Sequence, residues 1–290
     1  MTDTTTQGSV PSVVGVLGGG RMGAGIAHAF LICGADEVIV VERDAQSAEG
    51  AKERIESDLA KSLERGKIDG NLDVWAERLT VSLDKADFAR CGLVVEAVPE
   101  IMDLKIESLT EVERHLAKDA WLATNTSSLS VDELANHLQR PERFCGLHYF
   151  NPVPASKLVE VVIGAKTGDE LKALSSEWVK GLGKTPVVVK DAPGFASSRL
   201  GVAIALEAIR MVEEGVASPE DIDNAMVLGY KFPVGPLALT DIVGLDVRLG
   251  IAEYLESQLG ERFAPPQLMR DMVARGELGR KSGKGFYDYS

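Results

Sequence analysis

The sequence has few cysteines and no long apolar run. Its three cysteines, Cys33, Cys91 and Cys145, are widely separated and odd in number, so neither a disulfide framework nor a metal site is indicated. The polar first residues contain no apolar segment and no arginine precedes Arg21, which predicts no secretory or mitochondrial signal. No apolar run approaches the length of a membrane span. We therefore expect free thiols, a cytoplasmic location and no membrane association.

Basic residues are in the minority. The 290 residues include 44 acids against 31 lysines and arginines, which gives a net charge of −13. Such a surface repels nucleic acid and anionic membranes, so neither is expected as a partner. A phosphate-bearing ligand must then bind to backbone amides or to a local cluster of basic residues. The length is sufficient for one large or two modest domains.

A glycine-rich turn near the N-terminus has the spacing of a dinucleotide-binding motif. Residues 13–17 are a short β-branched run that suits a buried strand, and residues 24–31 suit a helix. Between them, Gly18, Gly20 and Gly23 have the G-x-G-x-x-G spacing. These glycines permit a tight turn, the approach of a pyrophosphate and close packing of helix on strand. The helix N-terminus adds amides for the phosphates.

An acid follows the second strand of this unit. The predicted strand 37–41 leads into Glu42, 19 residues after the last glycine of the motif, where a carboxylate accepts hydrogen bonds from the adenine ribose. Glu42 repels a 2′-phosphate, which favours NAD over NADP, although Arg43 softens this preference. Arg21 and Met22, inside the turn, are further predicted cofactor contacts.

The strand pattern continues to about residue 190 and then stops. Further strands are predicted at 93–98, 121–124, 144–147, 158–163 and 185–189, mostly separated by helices. The sequence Asp-Ala-Pro-Gly at 191–194 breaks this pattern. We predict an α/β Rossmann-type dinucleotide-binding domain over 1–191, with 1–12 a disordered tail, and a smaller all-α domain over 192–290.

The predicted C-terminal domain has unusually apolar helices. The helix at 199–214 is apolar on almost every side, which requires burial inside a bundle or against another subunit. A capped helix follows Ser218, a helix or helix pair covers about 237–259, and a short helix follows 265–266. We expect these helices to bind substrate and to form a homodimer.

Two features have both a structural and a functional interpretation. His148 follows the predicted strand 144–147 and precedes a turn, so it is either a buried structural histidine or a proton-transfer group at the mouth of a sheet. On a charged helix over 45–66, Lys61 and Arg65 are four residues apart, with Lys67 just beyond. They are either a solvated face or a site for a phosphorylated substrate.

In combination, several motifs resemble the 3-hydroxyacyl-CoA dehydrogenase family, and most closely its bacterial 3-hydroxybutyryl-CoA dehydrogenases. The similarity covers about residues 13–289 and implies a two-domain homodimer that interconverts a short-chain (S)-3-hydroxyacyl-CoA and its 3-ketoacyl-CoA with NAD. The motifs are GGGRMGAGIA at 18–27, VEAVPE at 95–100, NTSSL at 125–129, GLHYFNPVP at 146–154, KLVEV at 157–161, DAPGF at 191–195 and GRKSGKGFY at 279–287.

The resemblance also implies roles for single residues. His148 matches the family's catalytic histidine and Glu160 the carboxylate paired with it. Ser127 and Asn151 match residues around the substrate carbonyl and the nicotinamide, and Arg65 falls near a basic CoA contact. Further positions match the cofactor cleft: Glu42, Ala97, Glu100, Lys105 and Lys281.

One position departs from the family pattern. Ser198 stands where the family commonly has an asparagine that contacts substrate, so we expect the reaction to survive with a changed fit around the thioester. Two other functions are considered. One is a dehydrogenase of a free 3-hydroxy acid on the same scaffold, and the other is a non-catalytic NAD-binding protein. The full set of predicted catalytic residues argues against the second, and the basic residues near Arg65 favour CoA over a free acid.

Overall fold

The computed structural model describes residues 9–289 and divides the chain into two compact units, residues 1–191 and 192–290. Most of the predicted N-terminal tail, residues 1–8, lies outside the described residues. The remainder of that segment contacts the first unit, because Val10 packs against its core and Ser12 Oγ donates a hydrogen bond of 2.6 Å to Asp36 Oδ2.

The first unit contains one eight-stranded sheet in the order β3-β2-β1-β4-β5-β6-β7-β8. Strands β1 to β6 are all parallel to one another, β7 is antiparallel to β6, and β8 is parallel to β7. The central strands are buried runs rich in valine, as expected where helices cover both faces. The strands are β1 (Val13–Leu17), β2 (Glu37–Val41), β3 (Leu79–Ser82), β4 (Leu93–Glu96), β5 (Trp121–Thr124), β6 (Phe144–Tyr149), β7 (Leu158–Ile163) and β8 (Thr185–Lys190).

Helices connect most of these strands, which confirms the predicted α/β class. They are α1 (Arg21–Ile32), α2 (Ala45–Glu64), α3 (Leu72–Ala76), α4 (Met102–His115), α5 (Val131–Ala135) and α6 (Asp169–Gly181). The sequence did not predict β3, α3 or α5, which have only four or five residues each and so carry little periodicity. The predicted start of α1 at residue 24 was wrong, because the turn is complete at Gly20 and the helix begins at once.

The order of the strands reverses between β1 and β4. From β1 the chain passes outward to β2 and β3, then returns to β4 on the other side of β1. Open α/β sheets bind ligands at such a switch point, beyond the carboxyl ends of the strands. Here the two strand ends meet directly, since Ala97 N donates to Leu17 O and the Ala97 carbonyl lies beside Gly18.

The second unit is helical, as predicted. Its helices are α7 (Ser197–Glu213), α8 (Pro219–Asn224), α9 (Pro236–Val243), α10 (Leu245–Leu259) and α11 (Gln267–Ala274). Helix α7 packs Val202, Leu206 and Ile209 into the core, but Leu200 on the same helix is 64% exposed. The single chain therefore does not bury α7 on every side. Among the described residues, no helix combines the length and the apolar composition that crossing a bilayer requires.

Two buried carboxylates hold the C-terminal segment in place. Asp241 accepts hydrogen bonds from Phe286 N and Tyr287 N, both at 3.0 Å. Asp223 accepts one of 2.8 Å from the Tyr287 hydroxyl and also binds two amides at the start of α9. A Cβ on Gly285 would lie 2.1 Å from an Asp241 oxygen. The close packing of the C-terminal segment on Asp241 therefore explains why the motif at 279–287 has a glycine at this position.

Candidate active site

The glycine-rich turn has the geometry that its spacing predicts. Gly18 has a φ of +89°, which an L side chain rarely adopts. A Cβ on Gly23 would lie 1.8 Å from Gly18 O, so helix and strand are too close there for any side chain. A Cβ on Gly20 would meet nothing within 4 Å, and this side of the turn is open to a ligand. Exposed Arg21 and half-buried Met22 begin α1 beside it.

Glu42 lies at the carboxyl end of β2 and contacts the same turn. Its Oε1 accepts a hydrogen bond of 2.6 Å from Gly19 N, and Oε2 accepts one of 3.2 Å from Arg43 N. A carboxylate has about four lone-pair sites, so Glu42 can hold the turn and still accept from a ribose hydroxyl. The Arg43 guanidinium pairs with Asp44 at 3.0 Å.

A buried ion pair lies at the end of β4. Glu96 and Lys105 are 0% and 1% exposed, and Lys105 Nζ lies 2.7 Å from Glu96 Oε1. The other oxygen of Glu96 accepts a hydrogen bond of 2.6 Å from the Thr124 hydroxyl on β5. Lys105 Nζ also donates to Val98 O at 3.2 Å and lies 3.4 Å from Glu100 Oε2. Lys105 therefore acts on the site by fixing Glu100.

Glu100 in turn fixes the loop that carries Ser127. Its Oε1 accepts three hydrogen bonds: from Thr126 Oγ1 at 2.7 Å, from Ser127 N at 2.8 Å and from Ser128 N at 3.0 Å. Burial by itself raises the pKa of Glu100, but the Lys105 ammonium and these donors outweigh it, so the pKa lies below its ordinary value. The Ser127 hydroxyl is 3.1 Å from the same oxygen. Glu100 therefore stays ionised and orients Ser127.

His148 and Glu160 are directly opposed in the antiparallel register of β6 and β7. His148 Nδ1 lies 2.8 Å from Glu160 Oε2, with the two residues 6% and 0% exposed. The Phe150 ring packs on the imidazole at a centroid distance of 4.4 Å. Opposed residues of an antiparallel pair have Cβ atoms only about 5 Å apart, so strand pairing itself joins the two groups. The predicted strand end before His148 was wrong, because β6 continues through Tyr149.

The loop after β6 carries Asn151, which is exposed. A lysine from the turn before β8 holds this loop. Lys184 Nζ donates hydrogen bonds to Val153 O at 2.6 Å and to Ser156 O at 2.5 Å. Burial lowers the pKa of Lys184. Behind the loop, Val153 lies against Gly25 of α1, where a Cβ would come within 2.9 Å of it. Asn151 is thus on a loop fixed from two sides.

The predicted basic cluster is only partly available to a ligand. Lys61 pairs with Asp58 at 3.0 Å on α2. Arg65, the C-cap of α2, and Lys67 beyond it are exposed, and neither has an ion-pair partner within residues 9–289. Of the three predicted phosphate contacts, Arg65 and Lys67 therefore keep an uncompensated charge.

Two predicted site residues belong to the second unit. Ser198 is the second residue of α7 and is half-buried. Lys281 lies near the C-terminus, and its ammonium pairs with Asp246 at 2.5 Å at the start of α10. A Cβ on Gly244 would come within 3.1 Å of Lys281 Nζ, so this glycine makes room for the pair.

Sequence reasoning missed several residues that build the site. The sequence pattern indicates Glu96 and Thr124 only as parts of strands, and Asn125 and Thr126 only as a polar cluster. In the structure, Asn125 Oδ1 accepts a hydrogen bond of 2.9 Å from Tyr149 N, which joins the end of β5 to β6. An acid inside an apolar strand was a usable signal for Glu96, because buried acids are rare unless paired.

Comparison with known proteins gives a consistent result across the chain. Residues 13–192 match the family model "3-hydroxyacyl-CoA dehydrogenase, NAD binding domain", and residues 194–289 match "3-hydroxyacyl-CoA dehydrogenase, C-terminal domain". A probable 3-hydroxybutyryl-CoA dehydrogenase of Deinococcus radiodurans is 42% identical over 95% of this chain and 99% of its own. The Clostridioides difficile 3-hydroxybutyryl-CoA dehydrogenase is 37% identical over 95% and 98%. The solved (S)-3-hydroxybutyryl-CoA dehydrogenase of Ralstonia eutropha has a TM-score of 0.92 and 37% identity, covering 97% of this chain and all of its own.

Proposed function

The chain belongs to the 3-hydroxyacyl-CoA dehydrogenase family and is an NAD-dependent oxidoreductase, and on that premise we propose that it acts on a 3-hydroxyacyl-CoA with His148 as its general acid–base, assisted by Glu160. The reaction interconverts an (S)-3-hydroxyacyl-CoA and the 3-ketoacyl-CoA. The single observation that carries this proposal is the buried contact of 2.8 Å between the imidazole and the carboxylate.

The pair explains how a proton moves. Oxidation of the alcohol requires a base for the hydroxyl proton, and an imidazole has an intrinsic pKa suited to that task near neutral pH. A ring that donates its Nδ1 hydrogen to Glu160 has Nε2 as its basic nitrogen. When Nε2 takes the proton, the ring becomes positive and the Glu160 carboxylate stabilises it. In the reducing direction His148 returns the proton to the oxygen.

Ser127, Asn151 and Ser198 are the proposed substrate contacts. As charge builds on the substrate oxygen, a prepositioned hydroxyl stabilises it more than mobile water does. Glu100 accepts from the backbone amides at Ser127 and Ser128, so the loop keeps its position when the Ser127 hydroxyl turns from Glu100 towards substrate. The oxyanion contact is thus built on a fixed backbone.

The residues at the end of β1 and β2 fit a dinucleotide. The open side at Gly20, the amides at the start of α1 and the acceptor Glu42 suit a pyrophosphate and a ribose. When bound, NAD supplies the acceptor for the hydride that leaves the carbinol carbon. Glu42 disfavours the 2′-phosphate of NADP by charge repulsion.

The substrate is proposed to be a CoA thioester, with Arg65 and Lys67 as contacts for its phosphates. Names of the relatives support 3-hydroxybutyryl-CoA as a short-chain substrate. The alternative, a free 3-hydroxy acid, predicts that these two charges have no part in binding. A comparison of thioester and free acid therefore decides between them.

The proposal is tested by following NADH oxidation with acetoacetyl-CoA and with free acetoacetate. We expect turnover on the thioester, and His148→Gln should lower kcat by about 10²–10⁴-fold while NADH binding is retained. His137→Gln, an exposed histidine of the same unit, is the control and should behave as the wild type. Near-normal turnover by His148→Gln would refute the acid–base assignment, and turnover on the free acid alone would refute the CoA assignment.

We also propose that the protein is a cytoplasmic homodimer joined through its second unit. Exposed apolar residues on α9 and the start of α10 support the interface; they are Leu239, Ile242, Val243 and Val247, 38–44% exposed.

The proposed cytoplasmic location is a reducing compartment, which agrees with the state of the thiols. Cys91 and Cys145 are free, and burial raises the pKa of each to about 12. Thiols of that kind are unreactive. Cell fractionation tests the location.

A further inference from the structure

Arg54 is an exposed arginine on α2 that reaches back to the glycine-rich turn. Its Nη1 donates a hydrogen bond of 3.3 Å to Gly19 O. Across residues 9–289 its guanidinium has no ion-pair partner, although α2 carries several acids. An exposed arginine ordinarily stays solvated or pairs with a carboxylate. The bond to one backbone carbonyl of the turn is therefore a specific contact.

A glycine in the middle of α2 makes room for this guanidinium. A Cβ placed on Gly50 would lie 3.3 Å from both Nη1 and Nη2 of Arg54. The two residues are four apart, and a helical side chain lies over the turn that precedes it. Glycine in a helix interior is less stable than alanine. The space that Arg54 needs explains why α2 nevertheless has a glycine at this position.

The turn is held at both polar groups of Gly19. Gly19 N donates a hydrogen bond of 2.6 Å to Glu42 Oε1, and Gly19 O accepts the one from Arg54. A Cβ on Gly19 would lie 2.4 Å from the Ala51 Cβ, so the turn packs directly on α2. The G-x-G-x-x-G spacing does not require a glycine at position 19. The contact with α2 does.

The peptide that joins Gly19 to Gly20 transmits this restraint to the other side of the turn. The peptide is trans, and the C=O and N–H of a planar trans peptide point in opposite directions. Because Gly19 O is held towards Arg54, Gly20 N–H points away from it. Gly20 is exposed, and in the described part of the chain its N–H donates to no other group. The amide is thus available to a ligand.

We propose that Arg54 is a positioning residue for the cofactor, which directs the Gly20 amide at the pyrophosphate of NAD by holding Gly19 O. This rests on the proposed function, which assigns the pyrophosphate to the open side at Gly20. The guanidinium also polarises the shared peptide, and hydrogen bonds in a chain strengthen one another. Gly20 N–H is therefore both fixed in direction and a stronger donor.

The effect of Arg54 is confined to one part of the cofactor. An amide donor binds a phosphate oxygen, whereas the ribose hydroxyls need an acceptor, which is the role proposed for Glu42. Arg54 should therefore influence ligands that contain the pyrophosphate and have no influence on the nucleoside alone. It should also leave the chemical step unchanged, because Arg54 does not touch the reacting atoms.

The test compares ADP, which contains the pyrophosphate, with adenosine, which lacks it, each measured by displacement of bound NADH. Arg54→Met should raise the Kd of ADP by about 3- to 10-fold, the effect of one lost hydrogen bond, and leave the Kd of adenosine unchanged. With acetoacetyl-CoA as substrate, KM for NADH should rise while kcat stays the same. Lys52→Met removes another exposed positive charge from α2 and should change none of these values.

High salt distinguishes positioning from simple attraction between the guanidinium and the phosphates. In about 1 M NaCl the screening length is only about 3 Å, so a long-range attraction disappears whereas a misplaced amide does not recover. We expect the ratio of the ADP Kd values of Arg54→Met and wild type to be the same in about 0.1 M and about 1 M NaCl.

Three results would overturn the proposal. They are unchanged ADP binding in Arg54→Met, an equal loss of adenosine binding, which would make Arg54 a contact of the nucleoside, and a loss that disappears at high salt. Turnover of acetoacetyl-CoA by the wild type, and its loss in His148→Gln, report separately on the proposed function.

Discussion

Lys105 Nζ and Glu96 Oε1 are 2.7 Å apart in an ion pair that is closed to solvent on both sides. The sequence alone does not indicate that these two residues form a pair. Their pairing fixes the lysine beside Glu100, and Glu100 fixes the Ser127 loop. The position of the proposed oxyanion contact is thus set by charges that lie below the surface of the site.

This pair predicts a non-additive effect on stability. Glu96→Gln should lower the free energy of unfolding by about 3 kcal/mol, because removal of one partner leaves the other charge uncompensated in the interior. Glu96→Gln combined with Lys105→Met should cost less than the sum of the two single changes. Urea unfolding of the three variants measures this, and strict additivity would show that the two charges act independently.

The paired carboxylate predicts a separation of kcat from KM. Glu160→Gln keeps the shape of the side chain but removes the charge that we propose stabilises the imidazolium, so kcat for acetoacetyl-CoA should fall by about 10- to 100-fold. KM should change little, because Glu160 is proposed to touch His148 and not the substrate. Steady-state kinetics decide the matter, and an unchanged kcat would remove Glu160 from the mechanism.

We expect the choice between NAD and NADP to depend on the charge of Glu42. Glu42→Gln retains an acceptor for Gly19 N but loses the carboxylate, so the Kd for NADH should rise by about 10-fold, as for one lost hydrogen bond to a charged group. NADPH binding should improve at the same time. Fluorescence titration with both cofactors measures the change, with Glu49→Gln on the exposed surface as the control. A parallel weakening of both cofactors would show a folding defect.

The lowered pKa of Glu100 predicts a dependence of stability on pH. A folded-state pKa below the ordinary value means that the folded chain binds fewer protons than the unfolded chain. Glu100 therefore stabilises the fold fully above its unfolded-state pKa of about 4.3, and the contribution is lost as pH falls through the lowered folded value. The difference in unfolding free energy between wild type and Glu100→Gln should be larger at neutral pH than in acid. A difference that does not change with pH would contradict the sign of this shift.

The proposed dimer predicts a sensitive surface on the second unit. The wild type should have about twice the 31.1-kDa mass of one chain in solution. Ile242→Glu should yield a monomer, because it places a charge within the exposed apolar stripe. Val74→Glu, at a residue of the first unit that is 53% exposed, should leave the mass unchanged. Light scattering after size exclusion separates these outcomes, and a dimeric Ile242→Glu would move the interface elsewhere.

The sequence predicted the features that depend on short stretches of chain. The glycine spacing around Gly18 and Gly23 sets a turn by local backbone geometry, and Glu42 follows its strand at once, so both could be read from a single strand–turn–helix segment. His148 and Glu160 were paired only through the family resemblance. Their contact arises from the antiparallel register of β6 and β7, which residue spacing alone does not determine.

The sequence by itself determined the α/β class, the change to helices after Asp191 and the chemical types at the site, because periodicity and turn residues are local signals. Only the tertiary structure decided that Glu96 joins Lys105, that Lys184 holds the loop of Asn151 and that Arg54 binds Gly19 O. Each of these depends on two distant segments packing side by side, and burial then determines whether a charge is solvated or paired.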